Sequence, residues 1–482
     1  MSFLTVFITS IFFLNFIFAS IVVFFERRNP SSTWAWLLVL FFIPLLGFVL
    51  YLTLGQNLKR KKLFVWEDLK KIGLDDLIQK QKNTLKNQQY HPLSKELEKY
   101  RDMMYLFLSN NHALITNDNK LDIFTDGKEK FHALFKDIEA AKHHIHLQYY
   151  IFRDDQLGTK LIDLLTKKAK EGVEVKVLYD EMGSRRIKKR AFNKLKKAGG
   201  YVEIFFPSKI PLVNLRINFR NHRKIVVIDG KIAYLGGFNV GDEYLGLVKK
   251  FGYWRDTHLR IEGTAVHAAQ IRFILDWNQA SDRNDIYYDP KYFPNITQKG
   301  KIPIQVVTSG PDSQYEHIKN GYIKMISLAK KSIYIQTPYF IPDNSILDAL
   351  RIAVLSGVEV NIMIPNKPDH LFVYWATLSY IGELLEAGAN VYIYDNGFIH
   401  AKMIVVDDLA ASIGTANIDV RSFQLNFEVN AFIYDSQTAK RLVHIFEQDI
   451  KKSRRLTYDQ YLQRPLIIRF KESISRLLSP IL

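Results

Sequence analysis

Residues 221–239 read NHRKIVVIDGKIAYLGGFN, and this stretch decides the fold. Its skeleton is His222, Lys224 and Asp229, followed by Gly236, Gly237 and Asn239. The skeleton returns with unchanged spacing as His400, Lys402 and Asp407, then Gly414 and Asn417. Residues i and i+2 of a β-strand point to one face, so the spacing predicts that each His shares a face with its Lys. Ile225 to Ile228 and Met403 to Val406 follow, apolar and mostly β-branched, as suits strands buried on both sides. Asp229 and Asp407 complete the recurring set and are carried as candidate catalytic residues. Asp229 stands an odd number of steps from its Lys, at the strand end before Gly230, which fits a structural partner or turn-former better than the His/Lys face. The GGFN and GTAN segments suit turns where backbone approaches a ligand closely.

A neutral imidazole beside a fixed cation suits attack on a phosphodiester. The ammonium balances charge on the phosphoryl oxygens while the imidazole attacks phosphorus. A second His, placed opposite, supplies the acid for the leaving alkoxide. With an ordinary pKa of ~6.5, one neutral and one protonated His can coexist near neutral pH. A lone HxK is commonly a surface strand pair; two full copies at identical spacing point to a single site built from both.

The 482 residues exceed one ordinary domain of ~100–200 residues. With 66 basic and 49 acidic residues the formal charge is +17, which favours an anionic partner, nucleic acid or anionic lipid. Absence of cysteine excludes disulfides, thiolate metal sites and a Cys nucleophile. Ser2 to Phe25 and Trp34 to Leu54 carry no charge, and each is long enough for a bilayer span of ~20 residues. The first run lacks a basic leader and a second run follows, so two uncleaved spans are expected, with Pro44 as a kink in the second. Lys59, Arg60, Lys61 and Lys62 outnumber Arg27 and Arg28, which places the soluble part in the cytoplasm.

The repeat extends beyond the motifs. Ala141 to Gln148 parallels Ala329 to Gln336, Gly172 to Val175 parallels Gly357 to Val360, and Ala198-Gly199 parallels Ala387-Gly388. Alternating strands and helices argue an α/β sandwich with a parallel or mixed sheet in each half. The expected organisation is a two-helix anchor (1–58), a helical linker or cap (59–112) and two halves (113–290 and 291–482) related by a pseudo-two-fold. Arg185 to Lys197 reads as an amphipathic helix with a cationic face, either solvated or against lipid. The run Pro465 to Leu482 has one apolar face flanked by Arg469, Lys471 and Arg476, and either docks on the core or lies in the membrane interface. His143, His144, His146, His258 and His267 have no counterpart in the second copy and read as structural. No metal-site spacing accompanies them, so no metal is expected.

These residues resemble the phospholipase D superfamily, whose members use paired HKD motifs and a phosphohistidine without metal or cofactor. The match is closest to bacterial cardiolipin synthases. It includes ERRNPSSTWAWLLVL, FRNHRKIVVIDG, HAKMIVVDD, GTANIDVRSF with LNFE, and the RLLSP end. The resemblance implies two tandem phospholipase D-like αβα halves and a membrane-embedded, multi-pass enzyme of the bacterial cell membrane. One phosphatidylglycerol would form a phosphatidyl-histidine and release glycerol, and a second would take the group to give cardiolipin. Anionic membrane lipid, not nucleic acid, is then the partner. His222 is the expected nucleophile and His400 the general acid and base, an assignment the near-symmetry leaves open to reversal. Lys224, Lys402, Asn239 and Asn417 would bind the phosphoryl oxygens. An acidic residue downstream of each motif orients the motif His in this superfamily. Asp256 and Glu428 stand at those positions, which makes Asp256 the expected partner of His222. A hydrolytic phospholipase D or tethered nuclease shares the chemistry and differs only in the acceptor; a non-enzymatic lipid-binding scaffold conflicts with two intact motifs.

Overall fold

The computed structural model describes residues 3–24, 30–43, 73–87, 95–207 and 218–479, with 46, 47, 49–51, 55, 58, 63, 64 and 216 as isolated positions between them. The first half holds β1 (Thr116–Asp126), β2 (His144–Tyr149), β3 (Glu174–Asp180), β4 (Tyr201–Phe205), β5 (Arg220–Asn221), β6 (Ile225–Ile228), β7 (Ile232–Gly236) and β8 (Trp254–Glu262). The second holds β9 (Ile302–Ser309), β10 (Ser332–Gln336), β11 (Phe340–Ile341), β12 (Glu359–Pro365), β13 (Asn390–Tyr394), β14 (Phe398–Ile399), β15 (Met403–Val406), β16 (Ala410–Gly414), β17 (Ile418–Asp419), β18 (Asn426–Ile433) and β19 (Ser453–Leu456).

Strand order repeats. It is β4-β3-β2-β6-β7-β8 in the first half and β13-β12-β10-β15-β16-β18 in the second. The first three strands of each series run parallel and the others antiparallel, so each sheet is mixed. β1 adds to β8, β9 adds to β18, and β1 pairs with β9, which joins the two sheets.

The apolar runs after each motif have a packing cause. Ile225 and Val227 enter a core shared by both halves, while Val226 and Ile228 enter the first half's own core. Met403 and Val405 join the shared core, and Ile404 and Val406 the second half's own. Alternation with both faces covered demands apolar residues at every position. The shared core holds the halves rigidly together, which fixes the geometry between their motifs.

The segment 59–112, expected as a helical linker or cap, contributes the helix Arg101–Asn111 to the second half's core through Met103, Met104, Phe107 and Leu108. The amphipathic helix expected over 185–197 is not formed: Lys189–Phe192 is a 3-10 turn and only Asn193–Lys197 is α-helical. The Asp180 carboxylate accepts from the Met182 and Gly183 amides and turns the chain before the helix starts.

The N-terminal helix Phe3–Phe24 contains a 20-residue apolar stretch, Thr5–Phe24, of mean hydropathy 2.5, long enough to cross a bilayer. The second helix, Pro30–Phe42, is shorter, and residues 46, 47 and 49–51 are helical again beyond a bend at 43. By length only the first qualifies among the described residues. Pro44, the loop residues Arg27 and Arg28, and Lys59 to Lys62 lie outside the described residues.

Candidate active site

Each motif His leaves its own sheet. His222 and Lys224 lie in the link between β5 and β6, and His400 and Lys402 between β14 and β15, rather than within a strand as the spacing predicts. The reason is pairing across the halves. β5 pairs with β18, and the His222 amide donates to the Phe427 carbonyl at 2.9 Å. β14 pairs with β8, and the His400 amide donates to the Arg255 carbonyl at 2.7 Å.

The residue after each of those carbonyls is the acidic one. His222 Nδ1 stands 3.0 Å from both Glu428 carboxylate oxygens. His400 Nδ1 stands 2.6 Å from Asp256 Oδ2. The carboxylates therefore orient the imidazoles crosswise, and the expected pairing of Asp256 with His222 is corrected: Asp256 serves His400. Sequence position assigns each acid to its own half; the backbone pairs that carry it to the other half are long-range and leave no local trace. A proton on Nδ1 toward the carboxylate leaves each Nε2 as the lone pair, and at His400 the Lys402 ammonium also stands 2.9 Å from Nδ1.

The motif also makes room for this contact. A Cβ on Gly237 would fall 1.9 Å from Asp256 Oδ1, so the second glycine of GGFN is the floor on which that carboxylate lies. Two buried arginines clamp the same places from behind. Arg223 bonds Asp276 at 2.7 and 2.9 Å and donates through Nε to the Glu428 carbonyl at 3.1 Å. Arg255 bonds Asp449 at 2.9 Å and donates to the Asp256 carbonyl. Gln148 and Gln336 donate to Asp276 and Asp449 at 2.7 and 2.9 Å. Sequence reasoning missed this network, although the two glutamines stand at corresponding positions of the repeat, IHLQ and IYIQ, and that signal was available.

A cleft of 810 Å³ is lined by His222, His400, Asn239 and Asn417 from both halves. Asn239 accepts from the Ile151 amide and donates to Tyr244, each at 3.1 Å; Asn417 donates to Asp419 at 3.0 Å. The Asn417 side-chain oxygen is buried with no partner among the described residues. Lys224 and Lys402 do not line the cleft. Each ammonium lies behind its His and donates to that residue's carbonyl, at 2.6 and 2.5 Å.

Asp229 and Asp407 are also away from the cleft, which corrects their place among the catalytic candidates. Both adopt a φ of +53°. Asp229 accepts from the amides of Lys142, His143 and His144 at 2.7–3.0 Å. Asp407 accepts from those of Lys330, Lys331 and Ser332, and from Lys99 Nζ at 2.5 Å. They tie the start of the neighbouring strand to the far end of the motif strand, roughly 16 Å of extended chain beyond the motif lysines at ~3.3 Å per residue. Two of the extra histidines, His144 and His146, are tied into the packing away from the cleft. His144 and His146 share Gln270, His146 also meets Glu174, and burial pushes the His144 imidazole down to about 2.

Burial governs the site's charges. It pushes His222 down to about 4, opposed by the Glu428 charge. It pushes His400 to about 4 as well, helped by the nearby Lys402 ammonium and opposed by Asp256. Lys402 is pushed down to about 8 by burial, and Lys224 well below the usual ammonium range. Burial raises Asp256 and Glu428, but the facing imidazoles and ammoniums outweigh it and hold both carboxyls below the usual range. Burial thus disfavours the charged form of both imidazoles, whereas ordinary values lead one to expect one neutral and one protonated His.

Two segments of the chain, 134–250 and 322–450, match the family described as "Cardiolipin synthase, PLD-like domain", and 13–56 match "Phospholipase_D-nuclease N-terminal". The chain is 64% identical over 482 residues, the full length of both proteins, to the major cardiolipin synthase ClsA of Bacillus subtilis. The chain belongs to the cardiolipin synthase family with phospholipase D-like domains. Within this family it is also 57% identical over 469 residues to the cardiolipin synthase of Listeria welshimeri, covering 97% of each chain. The crystal structure of phosphatidylserine synthase from Haemophilus influenzae superposes with a TM-score of 0.61 at 15% identity, covering 81% of this chain and 100% of that one. That likeness shows that the fold is shared. The first matched segment contains His222 and the second His400.

Proposed function

We propose that this chain is a cardiolipin synthase that moves a phosphatidyl group from one phosphatidylglycerol to the primary hydroxyl of a second, releasing glycerol. The observation that carries this reading is the crossed pairing of the two motif imidazoles with buried carboxylates of opposite halves, on one cleft, in a chain of this family. His222 Nε2 attacks phosphorus, the P–O bond to glycerol breaks, and His400 gives the alkoxide its proton. The second phosphatidylglycerol enters; His400 takes its hydroxyl proton, the oxygen attacks phosphorus, and the P–N bond to His222 breaks. With His400 starting the cycle as the imidazolium, atoms and protons balance and both imidazoles return to their starting state.

The short Asp256 contact supports His400 as the acid, because a charge-assisted bond stabilises an imidazolium. The more evenly shared Glu428 contact suits a nucleophile held in one tautomer. A phosphodiester anion in the cleft raises the pKa of the imidazoles beside it, which supplies the proton-bearing form that burial otherwise disfavours. Asn239 and Asn417 line the cleft and reach the phosphoryl oxygens directly, while Lys224 and Lys402, behind their histidines, act on that charge at a distance.

The apolar helix Thr5–Phe24 supports one membrane span, and Thr33–Phe42 together with residues 46, 47 and 49–51 supports a second. Lys59 to Lys62 then put the catalytic part on the cytoplasmic side of the bacterial cell membrane. The test is the purified full chain with phosphatidylglycerol vesicles. Cardiolipin and glycerol in equal amounts are expected; phosphatidic acid as the sole lipid product overturns the transfer reading.

A further inference from the structure

The helix Leu466–Leu477 faces the wrong way for a protein surrounded only by water. Its buried residues are Glu472 and Ser475. Its apolar residues face out: Leu466, Ile467, Phe470, Ile474 and Leu477 are 80, 58, 62, 41 and 77% exposed. At ~100° per residue the two sets lie on opposite sides of the helix. The inward contacts are polar. Arg476 pairs with Glu383, and Arg464 pairs with Glu472 at 2.8 Å. Lys471 lies 5.4 Å above the Trp375 ring and Arg476 lies 4.5 Å from Tyr380.

These contacts advance together along Leu466–Leu477 and Leu371–Ala387, so both helices begin at the same end. At that end Leu371 and Phe372 are 64 and 54% exposed, and their chain neighbours His370 and Val373 line the cleft. The apolar surface is therefore continuous with the lip of the site. Exposed Arg469 and Lys471 flank it, which complements an anionic surface.

We propose that this face seats the catalytic part on an anionic lipid leaflet. The Leu466–Leu477 helix lies in the plane of the interface, its apolar side at the acyl boundary and its basic side chains at the headgroups, and the cleft mouth opens beside it. A lipid substrate then reaches the two histidines without leaving the leaflet. This rests on the reading of the cleft as a lipid phosphodiester site.

The chain has no cysteine, so single-cysteine variants report one position. Full-length Phe470→Cys, labelled with a fluorophore and reconstituted in phosphatidylglycerol–phosphatidylcholine vesicles, is expected to be quenched by nitroxide placed in the acyl chains. Lys440→Cys, on an exposed helix face elsewhere, is expected not to be quenched. The double variant Phe470→Asp/Leu477→Asp alters only outward side chains. It is expected to lose about tenfold or more of the turnover on vesicles and to keep the turnover on dispersed short-chain phosphatidylglycerol. Equal quenching at 470 and 440, or equal loss on both substrates, overturns the proposal. So does disulfide capture between two Phe470→Cys chains without lipid quenching, which assigns the face to a second copy. Failure of the unsubstituted chain on both substrates counts against the proposed function instead, and the quenching result still decides this surface.

Discussion

Replacing Asp256 by Asn separates the two imidazoles. Asp256 is fully buried and 2.6 Å from His400 Nδ1, so the substitution keeps shape and removes the charge that stabilises the His400 imidazolium. A unit charge pair at ~4 Å with an effective dielectric of ~20 is worth about 4 kcal/mol. A hydrogen bond to a charged group, part of which Asn retains, contributes about 1.5–3 kcal/mol. A net loss of about 2–4 kcal/mol slows turnover by roughly 30- to 1000-fold. The assay uses two donors, phosphatidylglycerol and a phosphatidyl ester of p-nitrophenol, whose leaving group departs without a proton. With the second donor, the p-nitrophenol burst reports attack by His222 alone. Asp256→Asn is expected to restore that burst to near the unsubstituted rate, whereas Glu428→Gln, which acts on His222, is expected to stay slow. If Asp256→Asn slows the burst as much as Glu428→Gln does, the crossed assignment is wrong.

Further outcomes follow from the same geometry. Burial disfavours the imidazolium, so NMR titration of the free protein should place His222 and His400 near pH 4 instead of ~6.5, and an unreactive phosphodiester should move His400 upward. Lys402 loses its charge as pH rises through about 8, so turnover should fall on that alkaline side; an unchanged rate well above pH 8 would exclude a role for its cation. Gly237→Ala drives a methyl into the Asp256 carboxylate and should reduce turnover at least as much as Asp256→Asn, with a loss of stability of about 1–3 kcal/mol. Asp229→Ala removes the acceptor of three backbone amides away from the cleft, two of them exposed to water; unfolding should be easier by about 1–3 kcal/mol, with kcat of the folded fraction kept within a few-fold.

Much of the site was legible in the sequence because the motif repeats at fixed spacing. His222, His400, Asn239 and Asn417 do line one cleft. The apolar strand that follows each motif was readable for the same reason: burial on both faces leaves a continuous run. Three things were not readable. Strand parity placed His222 and Lys224 within a strand, but the chain detaches there to pair with Phe427 of the other half. Position along the chain suggested that Asp256 serves its own half, while a parallel bridge between β8 and β14 carries it to His400. Asp276 and Asp449 sit near the ends of helices, and nothing in helical periodicity tells a buried clamp from a solvated charge. Asp229 shows the converse case: it recurs with the motif, yet its carboxylate accepts from the amides of Lys142, His143 and His144 instead of lining the cleft.

The central claim is a phosphatidyl group carried on one particular nitrogen. The direct measurement is rapid alkaline quenching of the full chain during turnover of phosphatidylglycerol labelled in its phosphate, followed by mapping of the labelled peptide. Label on His222, lost in His222→Asn and accumulating when the acceptor step is slowed, is the expected result. Label on His400, or turnover with no labelled histidine, would contradict the account.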